Sequence, residues 1–276
     1  MLQKQGYILL VGCLAILLGS CNEYQNALKS TDIKEKYELA ERYYNEGDFK
    51  RAQRLFEQIA PKYQGKPQGE RVMFFLSSTQ FKNRSYYLSG YSFERFLKSY
   101  PNSDKKQEAA FYTAKSYYML SPKYSLDQTD TDKALSKLQD FINGFPESEY
   151  FNEANEMALE LTRKKEQKAF EIAKQFDRLG EFNLPLLISS ITAMDNFLIE
   201  HPGSEFREDA YYYKLKSATI LALNSTIQKK EERINEAKEA HRLLFKYFPE
   251  TKYSKEAQTH LESLEKEQEL VTNLSK

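Results

Sequence analysis

The chain has 276 residues, enough for one or two domains with a sizeable core. Its 40 basic and 40 acidic residues cancel, which argues against a general nucleic-acid binder, because such a protein needs a basic excess to displace counterions. Two cysteines and three histidines exclude a four-ligand zinc site and a disulfide framework. Ten glycines and eight prolines are too few for a many-turned sandwich or barrel; with 20 Tyr, 18 Phe and no Trp, the composition is that of a helical, tyrosine-rich chain.

Residues 1–20 read as a lipoprotein signal peptide. Lys4 supplies a positive start, Tyr7 to Leu18 an apolar run of a dozen residues that is short for a membrane span, and Leu18-Gly19-Ser20-Cys21 a small-residue ending before cysteine. That ending resembles the bacterial lipobox, which implies cleavage before Cys21 and acylation of its thiol. Cys13 leaves with the signal, so no disulfide is expected, and covalent lipid on Cys21 is the only non-protein group expected. Each buried methylene contributes about 0.8 kcal/mol, and two or more chains hold stably. An aspartate at position 22 would resemble an inner-membrane retention signal; with Asn22 there, the lipobox resemblance implies outer-membrane sorting as the default. Residues 21–32 are polar and read as a tether.

From Tyr37 the pattern becomes helical hairpins. Tyr37, Ala40, Tyr43 and Tyr44 recur at i, i+3, i+4; Asn45 to Asp48 break the run, with Gly47 suited to a left-handed cap; Ala52, Leu55, Phe56 and Ile59 then share a second helical face. First helices repeat as Tyr37/Ala40/Tyr44, Phe74/Ser77/Phe81 and Phe111/Ala114/Tyr118, in steps of 37 residues. Second helices share a small-large-large-aromatic pattern, from Ala52/Phe56/Ile59/Tyr63 through Ser89/Phe93/Phe96/Tyr100, Ala134/Leu138/Phe141/Phe145 and Ser190/Met194/Phe197/His201 to Ala237/His241/Leu244/Phe248. Pro101, Pro146, Pro202 and Pro249 follow four of these and stop the helix; Gln64 follows the first. Ser103, Ser148, Ser204 and Thr251 are then expected as N-caps, with Ala109, Ala154, Ala210 and Ala257 inside the next helix.

The hairpins resemble tetratricopeptide repeats. The expected fold is all-α, a hairpin solenoid of about five repeats with a C-terminal capping helix, in which stacking makes the core that a lone hairpin cannot. The organisation expected is repeats 1–3 over 33–146, a linking helix over 147–165 within one long helix at 150–179, repeats 4 and 5 over 166–249, and a capping helix and tail over 250–276.

No catalytic constellation stands out: no P-loop, HExxH or Ser-x-x-Lys set is present, so no enzyme is expected. His201 and His241 occupy packing slots. Asp127, Asp130 and Asp132 lack the glycine and distal glutamate of a calcium loop, no metal is expected, and Asp132 reads as a helix N-cap. The six first-helix aromatics Tyr37, Tyr44, Phe74, Phe81, Phe111 and Tyr118 are the candidate site. In this repeat class first helices line the hollow, so the six are expected either to grip an extended aromatic-rich peptide or to pack between repeats.

The whole combination resembles the BamD family, the lipoprotein subunits of the outer-membrane β-barrel assembly machinery. The lipobox, the run YxLAxxYYNEGDFKRA at 37–52, the Ser125–Thr131 insertion and KAFEIAKQFDRLGEF at 168–182 carry it. The resemblance implies a lipid-anchored protein on the periplasmic side of the outer membrane. Its partners would be a BamA-type insertase at the C-terminal repeats, unfolded β-barrel proteins at the N-terminal repeats, other assembly-complex lipoproteins, and no nucleic acid. The alternative is another periplasmic repeat adaptor, such as the Tol-Pal-associated cell-division coordinator, whose usual coiled-coil head and missing lipobox do not match.

Overall fold

The computed structural model describes residues 23–274, and every regular element among them is a helix. The signal segment 1–20 and Cys21 lie outside the described residues. After a helical segment at 23–29 come α1 (Ile33–Asn45), α2 (Phe49–Tyr63), α3 (Gly69–Lys82), α4 (Tyr86–Ser99), α5 (Lys106–Tyr118) and α6 (Thr129–Gly144). The long α7 (Phe151–Gly180) follows, then α8 (Pro185–Glu200), α9 (Arg207–Leu223), α10 (Ile227–Tyr247) and α11 (Ser254–Leu274). Two compact units result among the described residues: one holds 23–122 plus Asp127–Leu161, the other Lys123–Leu126 plus 162–274. The four-residue piece from the third repeat's insertion thus groups with the second unit.

Each unit is a stack of tetratricopeptide-type hairpins. The small positions of the repeat, Ala40, Ala52, Ser77, Ser89, Ala114, Ala134, Ser190 and Ala237, are wholly buried, which is where helix axes approach closely. The paired large positions fill the space beside them: Phe56, Phe93, Phe96, Phe111, Phe141, Leu138 and Met194 are all buried, and each such side chain contributes about 2–3 kcal/mol by leaving water. Ala109, Ala154, Ala210 and Ala257 are likewise fully covered.

The aromatic-Pro junction acts as a repeated hinge of fixed shape. Tyr100, Phe145, His201 and Phe248 stand one residue past their helices with φ between −125° and −140° and ψ between 61° and 75°. The following proline excludes the helical conformation from the residue before it. Each of the four still donates its N–H to the carbonyl four residues back, Phe96, Phe141, Phe197 or Leu244. At Gln64, where proline is missing, the backbone turns differently, with φ −57° and ψ 126°.

Three expectations are corrected here. Ser103, Ser148, Ser204 and Thr251 do not cap the helices; these start three residues later. Their hydroxyls instead accept from the N–H two residues on, closing a tight turn ahead of the helix. Three of them also stitch the repeats together: Ser103 donates to Glu70 at 2.5 Å, Gln107 donates to Ser148 at 2.6 Å, and Thr251 donates to Glu208 at 2.7 Å. Asp132 is no N-cap either; it sits in the first turn of α6, and Asp127 accepts from the Thr129 N–H at 2.9 Å. Finally, residues 23–29 of the expected tether are packed. Ala27 is fully buried, Tyr24 meets Tyr43 edge-on at 5.8 Å, and Glu23 pairs with Arg42 at 2.5 Å.

Candidate functional site

The six first-helix aromatics do not form a common open face. Phe74 packs edge-on against Phe93 and Phe96 at 5.7 and 5.6 Å and is only 8% exposed. Phe111 lies flat on Tyr150 at 4.3 Å and against Phe141 at 5.6 Å, 1% exposed. These two rings are core and present no surface to a peptide, which corrects their place in the expected groove. The others are half-buried between helices. Tyr37 contacts Phe56 and Tyr63, Tyr44 contacts Phe75 at 4.8 Å and shares a 2.8 Å hydrogen bond with Ser78, and Phe81 meets Tyr86 and Tyr112. Tyr118 donates to Glu160 at 2.6 Å; burial first, then that carboxylate, pushes its hydroxyl up to about 12. The physical reason is that residues seven apart on a helix share one stripe, and in these hairpins that stripe is where neighbouring helices meet.

The second unit holds the open feature. Ile172, Gln175 and Leu179 lie on one face of α7, two turns long, and Phe182 follows in the turn. Ile172 and Leu179 are exposed, and Phe182 is 90% exposed. Lys168 donates to the Leu126 carbonyl at 2.7 Å and so holds the 123–126 piece beside α7. Together with Tyr124 and Ser125 these residues line a cleft of about 550 Å³, rimmed by Lys168, Lys174 and Arg178 against a single acid, Glu171. The first repeat makes an instructive contrast. Its Gly47-Asp48-Phe49 turn places Gly47 at φ +82° and packs Phe49 on Tyr44 at 5.6 Å. In the Gly180-Glu181-Phe182 turn, a side chain on Gly180 would strike Leu187, 2.3 Å away, so glycine lets α8 close in. The phenylalanine is left facing outward.

Behind that ridge lies a polar core that sequence reading missed. Asp177 is fully buried on the otherwise apolar stripe of Phe170, Ala173 and Gly180. It accepts from Lys216 at 2.9 Å and from Ser217 at 2.9 Å; Ser217 shares a hydrogen bond with Ser190 at 2.9 Å, and Lys216 also reaches Glu181 at 3.0 Å. An acid at a core register position was the available signal. His201 and His241 do fill packing slots, each tilted against a phenylalanine, Phe197 and Phe245, at 4.9 and 4.7 Å. Among the described residues no group of three or more His, Cys, Asp or Glu is arranged to hold a metal ion, and no helix is long and apolar enough to cross a membrane.

Burial lowers the pKa of His241 and of His260, partly offset at His241 by Glu265 and at His260 by Asp177 and Glu256, while Lys216 and His241 depress His260 further. Both therefore take up a proton less readily in the fold than in the unfolded chain, whose imidazoles keep the ordinary value of 6.5. Stability from these groups is complete above that value and is lost as pH falls below it. The second unit should melt at a lower temperature at pH 5 than at pH 7.5. His241→Phe, which also removes a buried ring nitrogen lacking a hydrogen-bond partner among the described residues, should flatten that slope in thermal scans; an unchanged slope would refute the assignment.

The model of the YfiO family, described as an outer membrane lipoprotein, matches residues 29–182 and 187–269. A protein of Aquifex aeolicus (strain VF5), named as an outer membrane protein assembly factor, BamD, is 27% identical over 242 residues, covering 84% of this chain and 74% of that protein. A solved tetratricopeptide repeat protein from Parabacteroides merdae aligns with a TM-score of 0.39 and 17% identity, over 85% of this chain and 99% of that one.

Proposed function

Because the chain belongs to the YfiO family of outer membrane lipoproteins, we propose that it is a non-enzymatic scaffold of β-barrel assembly, held on the periplasmic side of the outer membrane by lipid on Cys21. In this reading the second unit docks a BamA-type insertase through the α7 ridge, and the first unit engages unfolded barrel proteins. The name carried by the Aquifex relative, an outer membrane protein assembly factor, supports the assembly role. The observation that carries the docking surface is Phe182, which stands 90% exposed beside Ile172 and Leu179, where an apolar ring costs free energy unless something covers it. Covering it would contribute about 2 kcal/mol, and the rim of Lys168, Lys174 and Arg178 favours an acidic edge on the partner.

The test is affinity recovery from detergent-solubilised envelopes with mass spectrometry of what co-elutes. The native chain should bring down a BamA-type barrel protein. Leu179→Ser with Phe182→Ser should reduce that recovery at least tenfold while leaving the melting temperature unchanged, since both side chains are exposed. Undiminished recovery, or recovery of Tol-Pal components instead, would overturn the reading.

A further inference from the structure

The segment at 23–29 shows where the chain enters the fold. Tyr24 lies at the end of α1 and the start of α2, edge-on to Tyr43 and with the Arg51 guanidinium 5.4 Å from its ring centre. Four residues on, the Leu28 carbonyl accepts from Lys36, back at the start of α1. The segment therefore runs antiparallel to α1, and the chain enters at the edge that carries the turns within hairpins. Cys21 precedes Glu23 by two residues, and two residues of chain span at most about 7 Å.

That same edge is basic. Lys50, Lys82 and Arg84 are exposed and make no ion pair among the described residues. Asn83 brings them together, donating from its side-chain amide to the Phe49 carbonyl at 2.9 Å and to Gln53 at 2.7 Å, so the turn between α3 and α4 rests on the start of α2. The acids nearby are largely spent: Asp48 caps α2 and pairs with Arg51, and Glu23 pairs with Arg42, leaving Glu46. Beyond Arg84, which holds φ 62°, α4 presents Tyr87, Leu88 and Tyr91 within about 100° of arc. These are 67%, 48% and 54% exposed, with the Arg95 guanidinium 6.0 Å from the Tyr91 ring. Asp130 and Asp132, at the start of α6 next to Lys133, whose charge feels Tyr87, bound the patch on the side of the third repeat.

We propose that this edge, Lys50, Lys82 and Arg84 with the Tyr87/Leu88/Tyr91 face of α4, rests on the surface of an anionic phospholipid bilayer. Cations beside tyrosine and leucine suit the boundary between headgroup and acyl chain: the cations meet phosphates, and the tyrosine rings lie at headgroup depth with their hydroxyls wet. The basic excess selects an anionic surface, and the point of chain entry puts that surface against this edge when Cys21 is acylated. The placement rests on the lipid-anchor reading; the chemistry of the patch does not.

The experiment separates the two. The complete mature chain carrying Cys21→Ser, and so no acyl group, is sedimented with vesicles of phosphatidylethanolamine and phosphatidylglycerol, and with vesicles of phosphatidylcholine alone. Binding is expected to the first and not to the second. Lys50→Gln, Lys82→Gln and Arg84→Gln together should weaken it about a hundredfold, near fivefold per cation. The chain has no tryptophan, so Tyr87→Trp supplies a single reporter whose emission should shift to the blue on vesicles and be quenched by brominated lipid. Equal binding of the triple variant, an unquenched Trp in the vesicle-bound chain, or a patch covered instead by a second copy of the chain or an acidic protein would overturn the proposal. Mass spectrometry of the chain purified from membranes tests the acyl group by itself, and its absence would leave the vesicle result standing.

Discussion

Phe111→Ala is expected to cost about 3–5 kcal/mol of stability, the largest single effect among the candidate-site residues. The ring is 1% exposed and is held by the flat contact with Tyr150 and the tilted contact with Phe141. Its removal leaves a cavity against Tyr150 and Phe141, inside a core cluster shared by neighbouring helices. Such a wall relaxes little, so the cavity cost adds to the lost transfer free energy. Urea unfolding of the native and variant chains measures it. A variant that unfolds within 1 kcal/mol of the native protein but no longer binds barrel-derived peptide would return Phe111 to the role of a client-gripping ring. Tyr118→Phe offers the contrast: it removes only the hydroxyl bonded to Glu160 on an exposed edge and should cost about 1 kcal/mol or less.

Asp177→Ala is expected to destabilise the second unit by about 2–3 kcal/mol. Removing the fully buried carboxylate takes an acceptor from the Ser217 hydroxyl, which keeps only Ser190, and from the Lys216 ammonium. Breaking a buried pair from one side costs about 3–5 kcal/mol. The figure is lowered here because the Lys216 side chain is 23% exposed and keeps Glu181 at 3.0 Å. Asp177→Leu combined with Lys216→Met should recover most of the loss, because neither charge is then left behind. Chemical denaturation of the two variants decides it: if the double variant is no more stable than Asp177→Ala, the loss comes from packing and not from the stranded ammonium.

The hairpins were legible because their signals are local. Small side chains at Ala52, Ser89, Ala134, Ser190 and Ala237 and the proline after four of the five junction aromatics act within a turn or two of chain, and the long helix at 151–180 follows from an unbroken run of helix-favouring residues joining two apolar stretches. The departure at Gln64 marked the one junction with different backbone angles. What was not legible depends on neighbours distant in sequence. Periodicity places Tyr37, Phe74 and Phe111 on a stripe, but whether a stripe faces a neighbouring helix or a cleft is decided by the hairpin next to it. Phe49 and Phe182 occupy like turns, yet one ring is packed and the other bare. Polarity hid the packing of residues 23–29, because one alanine, one tyrosine and one leucine suffice to seat so short a helix. Ser103 and its counterparts have capping chemistry but spend it on the turn before the helix and on the previous repeat.

The order of packing has a consequence for biogenesis. Within the hairpin stacks, α1 to α6 and α8 to α11 each settle mainly against helices one or two places away in the chain. Little loop-closure entropy stands between synthesis and structure, which favours rapid acquisition of the native state. A polypeptide emerging amino end first through a translocation pore can thus complete each hairpin as it arrives, without waiting for the carboxyl end, and few sticky intermediates are exposed to the crowded compartment it enters.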